Sequence, residues 1–548
     1  MAVAFRLPTP DPERTSEGTA GRMLTAVLLA LWILLAGAVA LAAPRDVNYA
    51  FDEDYPPYTY LEKGQPTGFD IDILKAVLQG RDAKLVLQPM QWEEAQKKYF
   101  FIRTFGCQMN VHDTEQMAAL LREAGWKETA SEGKAGLILI NTCSIREKAA
   151  QKVYSLLGRL QEVKRNKPGL ILGVAGCLAQ QLGGQLVRKI PAVDLVFGTH
   201  QAHRLPEFIR TVEGGGRVIE TVFTDSVRSL HRITLPPAGT ISAFVTIMQG
   251  CNNYCAFCVV PYLRGREESR PFRDILEEIR QLAGRGVREV VLLGQNVNSY
   301  GRNLAEGADF ADLLREIAGV EGIERIRFTT SHPKDLSDKL IRAFREIGPL
   351  CEHIHLPVQS GSDRVLSRMN RGYTREDYLG KVARLRDACP EVAISSDMIV
   401  GFPGETEADF EDTLALMEEV RFDSLFSFKY SEREGTAALL LDGKLDDRIK
   451  GRRLRILQEL QDRYTMEKNQ RDVGRTLEVL VEGTSRNSGA DLMGRTRTNR
   501  IVNFPGDGVW IGRTVPVTIR EAFLHSLRGE AVLPGLQSPA LPASPEAA

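Results

Sequence analysis

Strong net charge and abundant cysteine are both missing from this chain of 548 residues. Its formal net charge is −1, so the whole molecule has no electrostatic attraction for a polyanion, and any such contact must come from local basic patches. Eight cysteines are too few for a disulfide scaffold in a chain of this length. Hydrophobic residues make up 43% and charged residues 26%, as in ordinary globular proteins, and the length predicts three or four domains.

The few cysteines are distributed in a pattern. Six of them fall in two sets between residues 107 and 258, which indicates metal or redox chemistry in a reducing compartment. The upstream set is Cys107, Cys143 and Cys177, and the downstream set is Cys251, Cys255 and Cys258. The remaining two, Cys351 and Cys389, have no partner pattern and are predicted to be core thiols.

The amino-terminal segment contradicts a reducing compartment. Arg14 and Arg22 precede an uncharged apolar run at residues 24–43, and Ala40-Leu41-Ala42 has the small-residue pattern of a cleavage site. We predict a signal peptide over residues 1–44, with an uncleaved membrane anchor as the alternative.

Residues 45–96 form a short piece of a different character. The stretches Asp54-Tyr55-Pro56-Pro57-Tyr58 and Gly68-Phe69-Asp70-Ile71-Asp72 resemble the beginning of periplasmic amino-acid-binding proteins. The resemblance is too short to build the two lobes of such a protein, so we expect no ligand binding from it.

Strand and helix patterns alternate over residues 97–215. Short apolar runs occur at 99–105, 136–142, 169–176 and 193–199, with helical stretches between them, which predicts a doubly wound parallel sheet. Each upstream cysteine comes just after one of the first three runs. Because the carboxyl ends of parallel strands share one edge, we expect the three thiols to converge there and hold a metal cluster. Separate structural cysteines are the alternative, since free cysteines are common in protein cores.

A second alternating series occupies residues 236–465. Its candidate strands are 243–249, 288–295, 325–331, 353–359, 393–401 and 423–431, and six such units predict a partial, laterally open (β/α)6 barrel. Short strands over 468–531, after a charged helical linker, predict a small all-β barrel. The Pro- and Ala-rich tail at 532–548 is predicted to be disordered.

The downstream cysteines share one loop after the first strand of the second series. Three thiolates at this spacing can each bind one iron of a 4Fe-4S cluster and leave the fourth iron open to a ligand. A zinc site would need a fourth protein ligand, and the neighbouring sequence supplies none. Three buried core cysteines are the alternative, which is disfavoured because thiols this close in a polar loop pack poorly.

The segment CNNYCAFC at 251–258 matches the CxxxCxΦC signature of the radical S-adenosylmethionine superfamily, with Phe257 as its aromatic residue. This resemblance implies that S-adenosylmethionine binds the open iron on Cys251, Cys255 and Cys258 and is cleaved to a 5′-deoxyadenosyl radical. It also implies the partial barrel as the fold of the central domain.

Longer stretches resemble the methylthiotransferases: TFGCQMNVHDTEQM (104–117), NTCSIREKAAQKVYSLLGRL (141–160), HLPVQSGSDRVLSRMNRGYTR (355–375) and DMIVGFPGETEADF (397–410). The similarity covers about residues 97–530, and Gly106-Cys107-Gln108-Met109-Asn110 favours the tRNA branch, the MiaB family. Residues 431–436 depart from the family, which usually has prolines there.

The resemblance implies a reaction with two 4Fe-4S clusters. A tRNA adenosine beside the anticodon, already carrying an N6-isopentenyl group, would receive a methylthio group at C2. The downstream cluster would generate the radical, and the cluster on Cys107, Cys143 and Cys177 would supply or relay sulfur. A second S-adenosylmethionine would donate the methyl group, and a flavodoxin-type protein would donate electrons to a monomeric enzyme.

The same resemblance implies RNA-binding surfaces. The carboxyl-terminal barrel is similar to a TRAM domain, whose arginines could contact tRNA phosphates: Arg475, Arg486, Arg495, Arg497 and Arg500. Gly401, Pro403 and Gly404 could shape a nucleoside pocket, with a simple turn as the alternative.

Two alternatives remain open from the residues. Within the enzyme class, the substrate could be a threonylcarbamoyl-adenosine of tRNA. From another class, residues 1–96 alone would suggest an exported small-molecule-binding protein. Because export would separate the iron–sulfur domains from tRNA, we interpret residues 1–96 as a fused or mis-assigned leader. We expect a cytoplasmic enzyme without membrane contact, with translation starting at Met90 as one explanation.

Overall fold

The computed structural model describes residues 45–52, 54–55, 59–62, 65–67, 69–78, 83–90, 98–143, 147–224, 233, 235–305, 307–485, 488–489 and 491–532. The predicted signal peptide and all of the predicted tail except Val532 lie outside the described residues, as does Arg486. In the described part, no helix has the length and apolar character that crossing a membrane requires. The described residues form two compact units: those within 45–102, 121–139 and 162–173 belong to the first, and the rest belong to the second.

The first unit begins with two small sheets. Strand β1 (Arg45–Asp52) pairs in parallel with β5 (Ala83–Met90), and helix α1 (Phe69–Leu78) lies between them in the chain. An antiparallel sheet is formed by β2 (Asp54–Tyr55), β3 (Thr59–Glu62) and β4 (Gln65–Thr67). A parallel strand pair with an intervening helix is the βαβ arrangement.

A six-stranded sheet follows, with the order β11-β10-β9-β8-β6-β7. Its strands are β6 (Tyr99–Phe105), β7 (Lys127–Glu128), β8 (Leu137–Thr142), β9 (Ile171–Gly176), β10 (Leu195–Phe197) and β11 (Val218–Glu220). The helices are α2 (Gln108–Glu123), α3 (Glu147–Asn166), α4 (Cys177–Leu182), α5 (Gly184–Lys189) and α6 (Leu205–Glu213). Every residue of β8 and β9 is buried, as expected for central strands covered on both faces.

The strand order of this sheet reverses at one point. From β6 the chain adds β7 on one side and then returns to place β8 on the other side of β6. Such a switch point leaves a crevice at the carboxyl ends of the two strands, where open α/β sheets bind ligands. The predicted parallel sheet is confirmed, and Cys107, which follows β6, and Cys143, which follows β8, lie at this edge.

The central domain contains the six predicted strands in two parallel groups, β12-β15-β16 and β17-β18-β19. They are β12 (Ser242–Thr246), β15 (Glu289–Leu293), β16 (Arg325–Phe328), β17 (His353–His355), β18 (Ala393–Val400) and β19 (Ser424–Lys429). A parallel bridge between Ile326 and Leu350 joins the groups. Among the described residues the first and last strands do not pair, so the barrel is open, as predicted.

Helices and a short ribbon complete this domain. The helices are α7 (Val260–Arg264), α8 (Phe272–Gly284), α9 (Phe310–Ala318), α10 (Asp338–Glu346), α11 (Asp363–Arg368), α12 (Arg375–Ala388), α13 (Glu407–Val420) and α14 (Asp447–Arg471). The ribbon pairs β13 (Met248–Gln249) with β14 (Glu268–Ser269). One apolar core, which includes Val245, Leu292, Ile326, Ile354 and Phe410, joins strands to helices.

The carboxyl-terminal strands form a closed barrel in the order β20-β21-β22-β24-β23, which confirms the predicted all-β domain. They are β20 (Thr476–Thr484), β21 (Asp491–Thr496), β22 (Ile501–Pro505), β23 (Thr514–Ala522) and β24 (Leu527–Ala531). The interior is filled by alternating apolar residues such as Val479, Val502, Phe504, Val517 and Leu527. Closure pairs the strand edges that an open sheet would expose.

Candidate active site

The downstream cysteine loop is fixed by backbone hydrogen bonds at several points. Gly250 has a φ of +82°, and a Cβ at this position would lie 1.9 Å from the carbonyl oxygen of Arg266. Cys251 N–H donates to the carbonyl of Gly265 at 3.2 Å, and Ala256 N–H donates to the carbonyl of Met369 at 2.8 Å. Only glycine fits at the entrance to the loop, because a side chain there is excluded both by the close contact and by the positive φ.

Burial controls the chemistry of these thiols. It raises the pKa of Cys251 to about 11 and that of Cys258 to about 12, so both thiols are protonated in the metal-free protein at neutral pH. Thiolates would form here only with a positive charge beside them, which is what bound iron supplies. The donor set therefore fits an iron–sulfur cluster.

Two further side chains contact the downstream set, and sequence reasoning did not identify either. Arg371 donates to Cys255 Sγ at 3.2 Å and to the carbonyl of Pro357 at 2.6 Å. His332 Nε2 lies 3.9 Å from Cys255 Sγ. Burial lowers the pKa of His332 to about 2, so its ring is neutral and Arg371 is the cation beside this sulfur. Both residues are more than 70 positions away in the chain, so no local pattern could have identified them.

The upstream cysteines converge at the switch point of the six-stranded sheet. The Cys143 thiol is within hydrogen-bonding reach of both Cys107 and Cys177, which raises the pKa of Cys143 and lowers the pKa of the other two. Cys107 is exposed, whereas Cys143 and Cys177 are buried. The three thiols thus meet at one edge of the sheet, and Cys107 is the exposed one.

Glycines and asparagines make room for this convergence. A Cβ on Gly106 would lie 2.6 Å from Cys143 Cβ, and a Cβ on Gly176 would lie 2.4 Å from Asn141 Oδ1. Asn110 accepts from Cys107 Sγ at 3.4 Å and donates to Asn141 at the same distance. The glycines beside these cysteines therefore leave room for three chain segments to come together, and the asparagines link the segments by hydrogen bonds.

The arrangement of the cysteines bears on the kind of metal site that they could form. Among the described residues, no group of three His, Cys, Asp or Glu side chains is arranged around a point where one metal ion would lie. In a 4Fe-4S cluster each thiolate binds its own iron, so convergence on a single point is not required. Cys351 and Cys389 are buried in the central domain, as predicted for core thiols.

The predicted nucleoside-pocket glycines form a braced turn. Gly401 N–H donates to Glu405 Oε1 at 2.9 Å, and Gly404 N–H donates to the carbonyl of Gly443 at 2.7 Å. Glu405 in turn pairs with the buried Arg453 at 2.5 Å. Gly401 and Gly404 also have φ values of +71° and +79°, which favour glycine, so the turn explains both residues and a role in a nucleoside pocket stays a prediction.

The four described arginines among those predicted to contact tRNA phosphates each have partners within the protein. Arg497 donates to Glu352 and to the carbonyls of Gly348 and Leu350, and Arg500 donates to Asn469 and Asp423. Arg475 pairs with Glu391 and Asp472, and Arg495 pairs with Glu482. From the other side, Arg325 and Arg327 donate to carbonyls of residues 478 and 495–497. Arg497 and Arg500 hold the barrel against the central domain.

Comparison with family descriptions divides the chain into four matched segments. The Radical SAM superfamily matches residues 245–417, and the TRAM domain matches residues 470–532. The family described as "Uncharacterized protein family UPF0004" matches residues 99–198, which contain the whole upstream cysteine set. Bacterial extracellular solute-binding proteins, family 3, match residues 47–99, in agreement with the resemblance seen at the amino terminus.

Curated relatives align with most of the chain. A "tRNA-2-methylthio-N(6)-dimethylallyladenosine synthase" from Syntrophus aciditrophicus is 58% identical over 435 residues, which cover 79% of this chain and 94% of that protein. Proteins of the same name from Geotalea uraniireducens and Geobacter sulfurreducens are each 52% identical, over 79% and 80% of this chain and 99% and 98% of theirs. The chain therefore belongs to the radical S-adenosylmethionine methylthiotransferases, in the family of the tRNA-2-methylthio-N(6)-dimethylallyladenosine synthases.

Proposed function

We propose that this enzyme converts N6-dimethylallyladenosine at position 37 of tRNA, beside the anticodon, to its 2-methylthio derivative. The observation that carries the proposal is the presence of two three-cysteine sets in one chain. One set lies on a loop of the open barrel and the other at the switch point of the six-stranded sheet. The target C2–H bond does not ionise at neutral pH, so a base cannot activate it and a radical is required.

We propose that each cysteine set holds one 4Fe-4S cluster. Cys251, Cys255 and Cys258 would hold the cluster that binds S-adenosylmethionine, and Cys107, Cys143 and Cys177 would hold the one that handles sulfur. When bound, the first cluster supplies the electron that cleaves S-adenosylmethionine, and the second offers an iron site for a sulfur ligand.

The chain's own side chains prepare these sites. Arg371 orients Cys255 by a hydrogen bond to its sulfur, while its second nitrogen is held by the carbonyl of Pro357. Asn110 holds Cys107 through both its backbone N–H, at 3.3 Å, and its sulfur. Because these contacts restrict Cys255 and Cys107, the two cysteines would lose little freedom when a cluster assembles.

The remaining parts have supporting roles in this proposal. The TRAM-type barrel would contact tRNA through surfaces other than Arg497 and Arg500, which are occupied within the protein. A flavodoxin-type protein would supply electrons to the downstream cluster. Residues 97–215, 236–465 and 468–531 would be the three working domains of a monomer, and 1–96 would take no part in the reaction.

Mass spectrometry of tRNA nucleosides tests the function. Deleting the gene should remove 2-methylthio-N6-dimethylallyladenosine and leave N6-dimethylallyladenosine in its place. Persistence of the methylthiolated nucleoside, or loss of a methylthio-threonylcarbamoyl nucleoside instead, would refute the proposed substrate. Amino-terminal sequencing of the native protein tests whether translation starts at Met90. A membrane-associated protein that begins at Met1 would contradict this start.

A further inference from the structure

Helix α7 connects the two cysteine sets. It begins two residues after Cys258 and ends at Arg264. Val259 and Leu263, at the start and near the end of this segment, pack directly against Cys177 of the upstream set. The loop of one site is thus continuous with a helix that rests on the other site.

The carboxyl end of α7 is anchored by residues that follow β10 of the six-stranded sheet. Thr199 Oγ1 donates to the carbonyl of Leu263 at 2.7 Å, and His200 Nε2 lies 3.1 Å from the carbonyl of Arg264. These contacts satisfy carbonyls that a helix end leaves without partners. The backbone at Arg264 is therefore held in place by Thr199 and His200.

The Arg264 side chain forms a buried ion pair next to the upstream set. Its side chain is only 3% exposed and forms two hydrogen bonds to the carboxylate of Asp113, at 2.5 and 3.4 Å. Asp113 lies on α2, the helix that follows Cys107. The positive charge of Arg264 is thus held on the helix that follows Cys107, one residue after Leu263, which packs against Cys177.

We infer that Arg264 is a positioning residue that compensates the negative charge of the upstream cysteine set, with Asp113 as its tether. The inference rests on the proposed function, because it takes Cys107, Cys143 and Cys177 as cluster ligands. Three thiolates and an anionic sulfur ligand gather negative charge in a partly buried site, and such charge needs a nearby cation. A guanidinium serves well, since it stays protonated at every accessible pH.

The test uses the full chain with Cys251, Cys255 and Cys258 replaced by alanine, so that only the upstream cluster forms. Its reduction potential is measured by a redox titration followed by electron paramagnetic resonance. Arg264→Gln should lower the potential, because removal of a positive charge disfavours the added electron, whereas Asp113→Asn should raise it. Arg264→Lys should stay close to the parent.

Arg315→Gln is the matched control. Arg315 lies on α9, is 40% exposed and is also ion-paired, with Asp312 and Glu346. Its loss should leave the potential unchanged, because an exposed charge is screened by water and salt. Added sulfide should bind the upstream cluster about tenfold more weakly in Arg264→Gln than in this control.

The sign of the shifts decides the outcome. A merely structural role for the ion pair predicts shifts of the same sign, or none, in Arg264→Gln and Asp113→Asn, and either result would overturn the inference. If Arg264→Gln loses the cluster, the thermal stability of the metal-free proteins is compared with that of the metal-free parent. Parent-like stability of both Arg264→Gln and Arg264→Lys supports charge compensation, and lower stability of either variant overturns it. A parent that binds no iron would instead refute the proposed cluster ligands.

Discussion

Replacing Arg497 by glutamine tests whether the barrel arginines bind RNA or hold the barrel in place. Arg497 donates to both carboxylate oxygens of Glu352 at 2.8 to 3.0 Å and to the carbonyls of Gly348 and Leu350 at 2.8 and 2.7 Å. Its side chain is 24% exposed and that of Glu352 is 26% exposed. Glutamine cannot reproduce this fork of donors.

The expected loss follows from these contacts. Breaking a fully buried pair costs about 3–5 kcal/mol, and partial exposure reduces this because water solvates the remaining carboxylate. We expect Arg497→Gln to lower the free energy of unfolding by about 2–3 kcal/mol, measured by urea denaturation of the metal-free protein. Arg520→Gln is the control: Arg520 pairs with Glu530 but is 57% exposed, so its loss should cost less than about 0.5 kcal/mol.

Binding of tRNA at several salt concentrations supplies the second half of the test. If Arg497 bound a tRNA phosphate, its replacement would reduce the slope of log affinity against log salt by about one. We expect the slope to remain that of the parent while stability falls. A reduced slope with unchanged stability would refute the structural role of Arg497.

Two further predictions concern the central domain. Gly250→Ala should abolish iron binding at the downstream set, because its Cβ would lie 1.9 Å from the carbonyl oxygen of Arg266. Gly286→Ala is the control: its φ is +90° but the space around it is open, so it should lower the free energy of unfolding by only about 1 kcal/mol. Equal iron content in both variants would contradict this prediction. Burial lowers the pKa of His353 to about 3, so the unfolded chain takes up a proton that the folded chain excludes, and stability should fall as pH decreases from about 6.5 towards 3. His353→Gln should flatten this dependence in urea midpoints measured at pH 7 and pH 4.5, and an unchanged slope would argue against it.

The sequence located the strands but overestimated their carboxyl ends. The strand predicted at 325–331 ends at Phe328, because Thr330 adopts a φ of +68° and its carbonyl accepts from Val297 N–H in the next loop. The strand predicted at 353–359 ends at His355, and Gln359 has a φ of +79°. Apolar character continued past the point where the backbone left the sheet, and periodicity does not report that departure.

Functional residues were predictable only where the sequence repeats a pattern. Each upstream cysteine follows a strand, so their convergence could be expected from the topology of a parallel sheet. Arg264 and Arg371 could not be found in this way, because their partners Asp113 and Cys255 are 151 and 116 positions distant. The ion pairs of the barrel arginines were missed for the same reason: a charge is visible in a sequence, but the distant carboxylate that pairs with it is not.

The division of labour between the two cysteine sets is the central claim, and product analysis of matched variants tests it most directly. With tRNA, reductant and S-adenosylmethionine, Cys251→Ala should form no 5′-deoxyadenosine. Cys107→Ala should still form it yet insert no sulfur into tRNA, and Cys389→Ala, at a buried core thiol, should retain both products. Equal loss of S-adenosylmethionine cleavage in Cys107→Ala and Cys251→Ala would contradict the account.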